Sequence, residues 1–183
     1  MSFESFCQSN KIGSNYFDCN INNIKDLQLA AALFFKKPHS IILYGEPGSG
    51  KTYFILAIIR HLLEEMKVHP GYIRFLNALD LDDKVEEYIQ QNGSAKYFID
   101  GLKEIYYLFI DDFGIEKSKD RAERNYYALL DSRLSNNMPT IISSNLSEAE
   151  ILAIYGARIH SRLKQCITLH LTGDDHRKQP NIF

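Results

Sequence analysis

The chain has 183 residues, 45% of them hydrophobic and 24% charged, with a net charge of −2. This is an ordinary globular composition, large enough for one domain with its own core; it argues against a strongly basic nucleic-acid module, although balanced totals leave room for a local basic face. No apolar run approaches the ~20 residues of a membrane span, Met1 to Ser5 has neither the basic nor the apolar stretch of a secretory leader, and the widely spaced Cys7, Cys19 and Cys166 form neither a zinc pattern nor a disulfide framework. Buried or free thiols in the reducing cytoplasm are expected.

In chain order, residues 1–22 are Asn- and Ser-rich and are read as an irregular lead-in, with residues 23–183 forming the domain proper. Asn22 or Asn23 can cap a helix from Ile24 to Phe35, whose Ile24, Leu27, Ala31 and Phe34/Phe35 share one face; Lys36-Lys37-Pro38 ends it. An apolar strand, Ser40 to Tyr44, runs into a glycine-rich octet and then into a helix with Phe54, Ile55, Ile58, Ile59, Leu62 and Leu63 at 3.6-residue spacing. Pro70-Gly71 turns the chain into a second strand, Tyr72 to Leu76. Leu79 to Gln91 and Ser94 to Lys103 read as helices, with Asp80, Asp82 and Asp83 crowding the first turn of the former. Glu104 to Asp112 is a near-continuous apolar strand ending in two carboxylates, as a sheet covered on both faces requires. A helix follows from Asp120 to Asn136, with Tyr127, Leu130 and Leu134 inward. The fourth strand is Thr140 to Asn145. Ser147 and Glu150 make a capping box for a helix to Tyr155, Gly156 opens another from Ala157 to Leu163, and Cys166 to Leu171 is the fifth strand. Strands alternating with helices predict an α/β fold, a five-stranded parallel sheet with helices on both faces.

The octet Gly45-Glu46-Pro47-Gly48-Ser49-Gly50-Lys51-Thr52 between strand and helix has the spacing of a phosphate-binding loop. Its glycines let backbone N–H groups turn toward phosphate oxygens, and the helix adds the positive end of its dipole. Lys51 supplies a point charge for the β- and γ-phosphates, Thr52 a hydroxyl for Mg²⁺, and Tyr53 follows directly beside the loop. In parallel folds ligands lie outside the carboxyl ends of the strands, where the loop, Asp111-Asp112 and Asn145 all fall. Asp111 is placed to hold Mg²⁺ through water, and Asp112 to orient or deprotonate the attacking water, the plainer alternative for the pair being a helix or turn cap. Asn145 could bind that water or the γ-phosphate, or simply form a turn.

Asp111-Asp112-Phe113-Gly114 also satisfies the DxxG of small GTPases, but no Asn-Lys-x-Asp guanine reader occurs. Asp112-Phe113-Gly114 spells the kinase DFG with no HRD loop before it, so chance explains both. Arg158 and Arg162 lie four apart on one helix face. They are either a solvated or salt-bridged face or an arginine finger offered to a neighbouring subunit's γ-phosphate.

The order of these motifs, from GEPGSGKT through LFIDDFG, ISSN and GARIHSRL to LTGDDHRK, resembles the DnaC/DnaI/IstB branch of AAA+ ATPases, bacterial helicase loaders and IS21-type transposition ATPases, over about residues 17 to 178. The resemblance implies a P-loop, Rossmann-like AAA+ core that binds ATP with Mg²⁺ and hydrolyses it. It makes Asn145 sensor 1, Arg162 the arginine finger with Arg158 a neighbouring candidate, and Arg177 the sensor 2 arginine, although Asp175 stands where the family carries a small residue. It further implies a ring or spiral of copies, contact with single- or double-stranded DNA, and a replicative helicase or another replication or transposition protein as partner. The implied roles are helicase loading or initiation in replication, or an IstB-like transposition ATPase assembling on DNA; a different class of reading is a low-turnover ATP-gated binding module, and a weaker competitor is a P-loop small-molecule kinase, for which the sequence offers no acceptor pocket or lid. Against the family pattern, the lead-in is too short for the loaders' N-terminal adaptor domain, and little or no C-terminal lid is expected.

Overall fold

The apolar runs near residues 41–44, 107–113 and 140–144 need cover on both faces, and the sheet they build has it. A computed structural model describes residues 1–23, 34–35, 39–115 and 119–172. Five strands, β1 (Ile41–Tyr44), β2 (Ile73–Asn77), β3 (Tyr107–Phe113), β4 (Thr140–Ser144) and β5 (Ile167–His170), pair in the order β2-β3-β4-β1-β5. Every pairing is parallel. The helices among the described residues are α1 (Phe3–Ser9), α2 (Lys51–Glu64), α3 (Ala78–Asn92), α4 (Lys96–Glu104), α5 (Lys119–Ser135) and α6 (Glu148–Leu163).

Because successive strand residues face opposite ways, the strands feed two cores. Ile41, Leu43, Phe109 and Ile141 pack with α1 and α2 on one side. Ile42, Leu108, Ile110 and Ile142 pack with α3, α5 and α6 on the other. Parallel register then lines up the carboxyl ends: Tyr44 lies beside Ser144 and His170, and Asn77 beside Asp111. None of the described helices is long and apolar enough to cross a membrane.

Three readings of the sequence change. The lead-in is not irregular. Phe3, Phe6 and Cys7 sit at helical spacing behind a Ser2 cap and are buried in the first core. Arg60 of α2 pins the segment further, donating to the carbonyls of Phe17 and Cys19 at 3.0 and 3.1 Å and to Glu64 at 2.8 Å, while Glu64 accepts from Phe3 N–H at 3.3 Å. Burial pushes the Cys7 thiol up to about 11 and those of Cys19 and Cys166 up to about 12.

The inward stripe of α5 is centred one residue earlier than the apolar spacing suggests. Tyr126, Leu129 and Leu130 are fully buried while Tyr127 and Leu134 are only partly so, because the stripe also carries the fully buried Arg133. Asp82, expected to serve the helix dipole, is instead buried and accepts from Arg121 of α5 at 3.0 and 3.1 Å, tying α3 to α5. The helix expected from Ile24 lies outside the described residues except for Phe34 and Phe35, as does the stretch after Thr172 on which the expected lid would bear.

Candidate functional site

The phosphate loop follows β1 directly. Gly48 and Gly50 hold left-handed φ values of 87° and 91°, and Gly50 caps α2. Gly45 has a different reason to lack a side chain: a Cβ there would meet the Leu171 carbonyl oxygen beyond β5 at 2.4 Å. Glu46 and Pro47 stand exposed at the tip, and the Ser49 N–H donates to the Glu46 carbonyl at 3.1 Å. Lys51 is almost fully buried, and its ammonium donates to the carbonyls of Gly45 and Glu46 at 2.7 and 2.9 Å. A cation at the mouth of a loop on a helix N-terminus is the electrostatic setting a polyphosphate requires. Tyr53 reaches the lead-in, its hydroxyl accepting from the Asn20 N–H at 3.1 Å.

At the end of β3 the two aspartates diverge. Asp111 is buried, and its Oδ2 accepts from Thr52 Oγ1 at 2.8 Å. Its Oδ1 accepts from the Ser143 hydroxyl. Burial raises its pKa, helped by the charge of Asp112, while the Ser143 and Thr52 hydroxyls pull it back down. One hydroxyl and one carboxylate in contact are the hard-oxygen pair that suits Mg²⁺, an ion that takes its other ligands from phosphates and water.

Asp112 has a left-handed φ of 57° and turns toward the strand ends on either side. Its Oδ1 accepts from the Asn145 amide at 3.3 Å and its Oδ2 from the Asn77 amide at 3.2 Å. The sequence reading missed Asn77, which closes β2 and also caps α3 by accepting from the Leu79 N–H at 2.9 Å. An Asn between a strand and a helix was the available signal.

The arginines stand on the far half of α6. Its Ser147–Glu150 capping box is formed, and Gly156 breaks the helix with φ 76° and ψ 176°, a region essentially closed to other residues, before Ala157 resumes it. Arg158 and Arg162 then bracket one ring of α5: their guanidinium carbons lie 5.9 and 5.8 Å from the centre of Tyr127. Arg162 also pairs with Asp131 at 2.5 Å. Thus Lys51, Thr52, Asp111, Asp112 and Asn145 are gathered at the strand ends, whereas Arg158 and Arg162 form a separate pair on the α5–α6 surface. Arg177 lies outside the described residues.

Comparison with known proteins agrees with this architecture. Residues 15–181 match the family described as IstB-like ATP binding protein. The uncharacterized protein YqaM of Bacillus subtilis is 31% identical over 167 residues, 86% of this chain and 50% of that protein. Among solved structures, the DnaC helicase loader superposes with a TM-score of 0.73 at 19% identity, covering 87% of this chain and 100% of that one. The replication initiator DnaA bound to AMPPCP and single-stranded DNA does so with a TM-score of 0.71 at 17% identity, covering 88% of this chain and 51% of that one. The fold is therefore the α/β P-loop fold of the AAA+ domains of DnaC and DnaA. This chain spans half or less of the length of the curated relatives it matches.

Proposed function

The chain belongs to the IstB-like ATP-binding family, which is related to the DnaC helicase loaders and to DnaA, and from that premise we propose that it hydrolyses ATP·Mg²⁺ to drive a replicative-helicase-loading or initiation step in DNA replication. The observation that supports this most is the contact of Thr52 Oγ1 with Asp111 Oδ2 at 2.8 Å beside the phosphate loop, with Asp112 held between two amides next to it. Lys51 and the loop amides neutralise phosphate charge. Thr52 and Asp111 would hold Mg²⁺, which would supply positive charge to offset that developing on the phosphate oxygens. Asp112 accepts the proton of the attacking water, and Asn145 orients that water and the carboxylate together. Arg162 of a neighbouring copy faces the γ-phosphate, so that a ring or spiral of copies completes each site.

The matched family's description, an IstB-like ATP binding protein, supports the IstB likeness of a second reading: an IstB-like transposition ATPase assembling on DNA. One variant separates the two. Asp112→Asn keeps ATP affinity within a few-fold but lowers turnover by about 10²–10⁴. Trapped with ATP, it retains the replicative helicase on an affinity resin under the helicase-loader reading. Filaments that form on DNA, with no helicase retained, would instead support the second. Helicase retention combined with negligible wild-type turnover would replace the enzyme with an ATP-gated binding module.

A further inference from the structure

The pairing of β3 with β4 is interrupted at the site itself. Ile110 pairs with Ile142 and the next pair is Phe113 with Ser144, so Asp111 and Asp112 together stand opposite the single residue Ser143. Two residues facing one is a β-bulge, which leaves a ladder hydrogen bond unmade and re-aims the side chains it carries. The left-handed φ of 57° at Asp112 is part of the same distortion.

Ser143 is fully buried, and its hydroxyl works in both directions. It donates to Asp111 Oδ1 and accepts from the Asp112 backbone N–H at 3.0 Å. With Thr52 on Oδ2, both oxygens of the Asp111 carboxylate are oriented by hydroxyls. Ser144 continues the seam, donating to the Phe113 carbonyl at 2.7 Å. Only a side chain that both donates and accepts at this distance from the backbone can satisfy the two aspartates at once.

We infer that Ser143 is the positioning residue of the site: one hydroxyl that aims Asp111 toward the metal and fixes the bulge that turns Asp112 toward the water. The inference rests on the ATP·Mg²⁺ reading above. Alanine keeps the strand but removes the donor and the acceptor. Threonine keeps both, and its branched side chain suits a strand. A partner that orients a ligating carboxylate is worth about 10–100-fold in metal affinity when removed.

The test is the Mg²⁺ concentration needed for half-maximal binding of a fluorescent ATP analogue, measured without turnover. Ser143→Ala is expected to raise it about 10-fold or more, Ser143→Thr to leave it near wild type, and binding in EDTA to be unchanged in both. Should the alanine variant melt below the assay temperature, Ser143→Cys, with its weak thiol donor, takes its place with an expected rise in the same direction. A wild-type Mg²⁺ titration in Ser143→Ala, alongside a shifted one in Thr52→Ala, would overturn the inference while leaving the ATP·Mg²⁺ reading intact. Analogue binding that ignores Mg²⁺ in the wild type itself would overturn both.

Discussion

Arg162→Ala is expected to lower ATP turnover by the assembled protein by about 10³–10⁵-fold, the range associated with loss of an arginine finger. ATP binding by isolated chains should not change. The surroundings of Arg162 explain why so large an effect can rest on one surface side chain. The Gly156 break sets the second half of α6 on its own course. Tyr127 and Asp131 of α5 then hold the guanidinium by its face and its edge. An arginine held in this way loses less freedom when a phosphate arrives, and its planar fork can engage two oxygens at once. The contact with Asp131 does not lock it away, because both side chains remain substantially exposed, at 30% and 40%, and ion pairs in such settings are weak. Lysine at position 162 should rescue little, since it lacks the fork. The measurement is turnover at protein concentrations where the wild-type rate per chain has levelled off. An equal or larger loss in Arg158→Ala would transfer the role to that residue.

The second large effect is on stability and lies at the other end of the sheet. Arg133→Met should destabilise the fold by about 3–5 kcal/mol, the cost of stranding a buried network. For a domain of this size that lowers Tm by about 6–20 °C. The fully buried Arg133 guanidinium donates to the Leu102, Ile105 and Pro139 carbonyls at 2.8, 2.6 and 2.8 Å and to the Thr140 hydroxyl at 2.9 Å. Longer bonds to Lys103 and Tyr106, at 3.2 and 3.1 Å, complete the set. It thereby joins the end of α4 to the starts of β3 and β4. Burial lowers its pKa to about 10, which still leaves it charged at neutral pH, surrounded by carbonyl oxygens that accept that charge. Methionine fills the space and satisfies none of those acceptors. Lysine, with one compact ammonium, cannot point at β3 and β4 together. Thermal melting of Arg133→Met checks this, and nucleotide affinity measured well below the new Tm should stay near wild type.

Arg133 also marks the limit of what the sequence reveals. Strand and helix order, the phosphate loop and the aspartate pair were legible, because each is written as a local period or a fixed spacing. An arginine at the centre of a helix's buried face breaks the very pattern by which such faces are found, so the apolar spacing of α5 predicts a stripe one residue late. The docking of α1 was hidden differently. Phe3, Phe6 and Cys7 do carry helical spacing, but the Asn- and Ser-rich composition around them outweighed three residues. Asn77 escapes the pattern because the apolar run predicts a strand that stops at Leu76, one residue short of the cap. Ser143 could not be found in one dimension at all, since the bulge it fills exists only in the register between β3 and β4.

The central claim is that a site gathered at the strand ends of one chain is finished by an arginine from another. The direct measurement is the ATP hydrolysis rate per chain across a wide range of protein concentration, with and without DNA. The account predicts a rate that is slow when chains are dilute and climbs as they assemble, with Arg162→Ala remaining at the dilute value throughout. A rate per chain that is flat across concentration, and identical in Arg162→Ala, would contradict it.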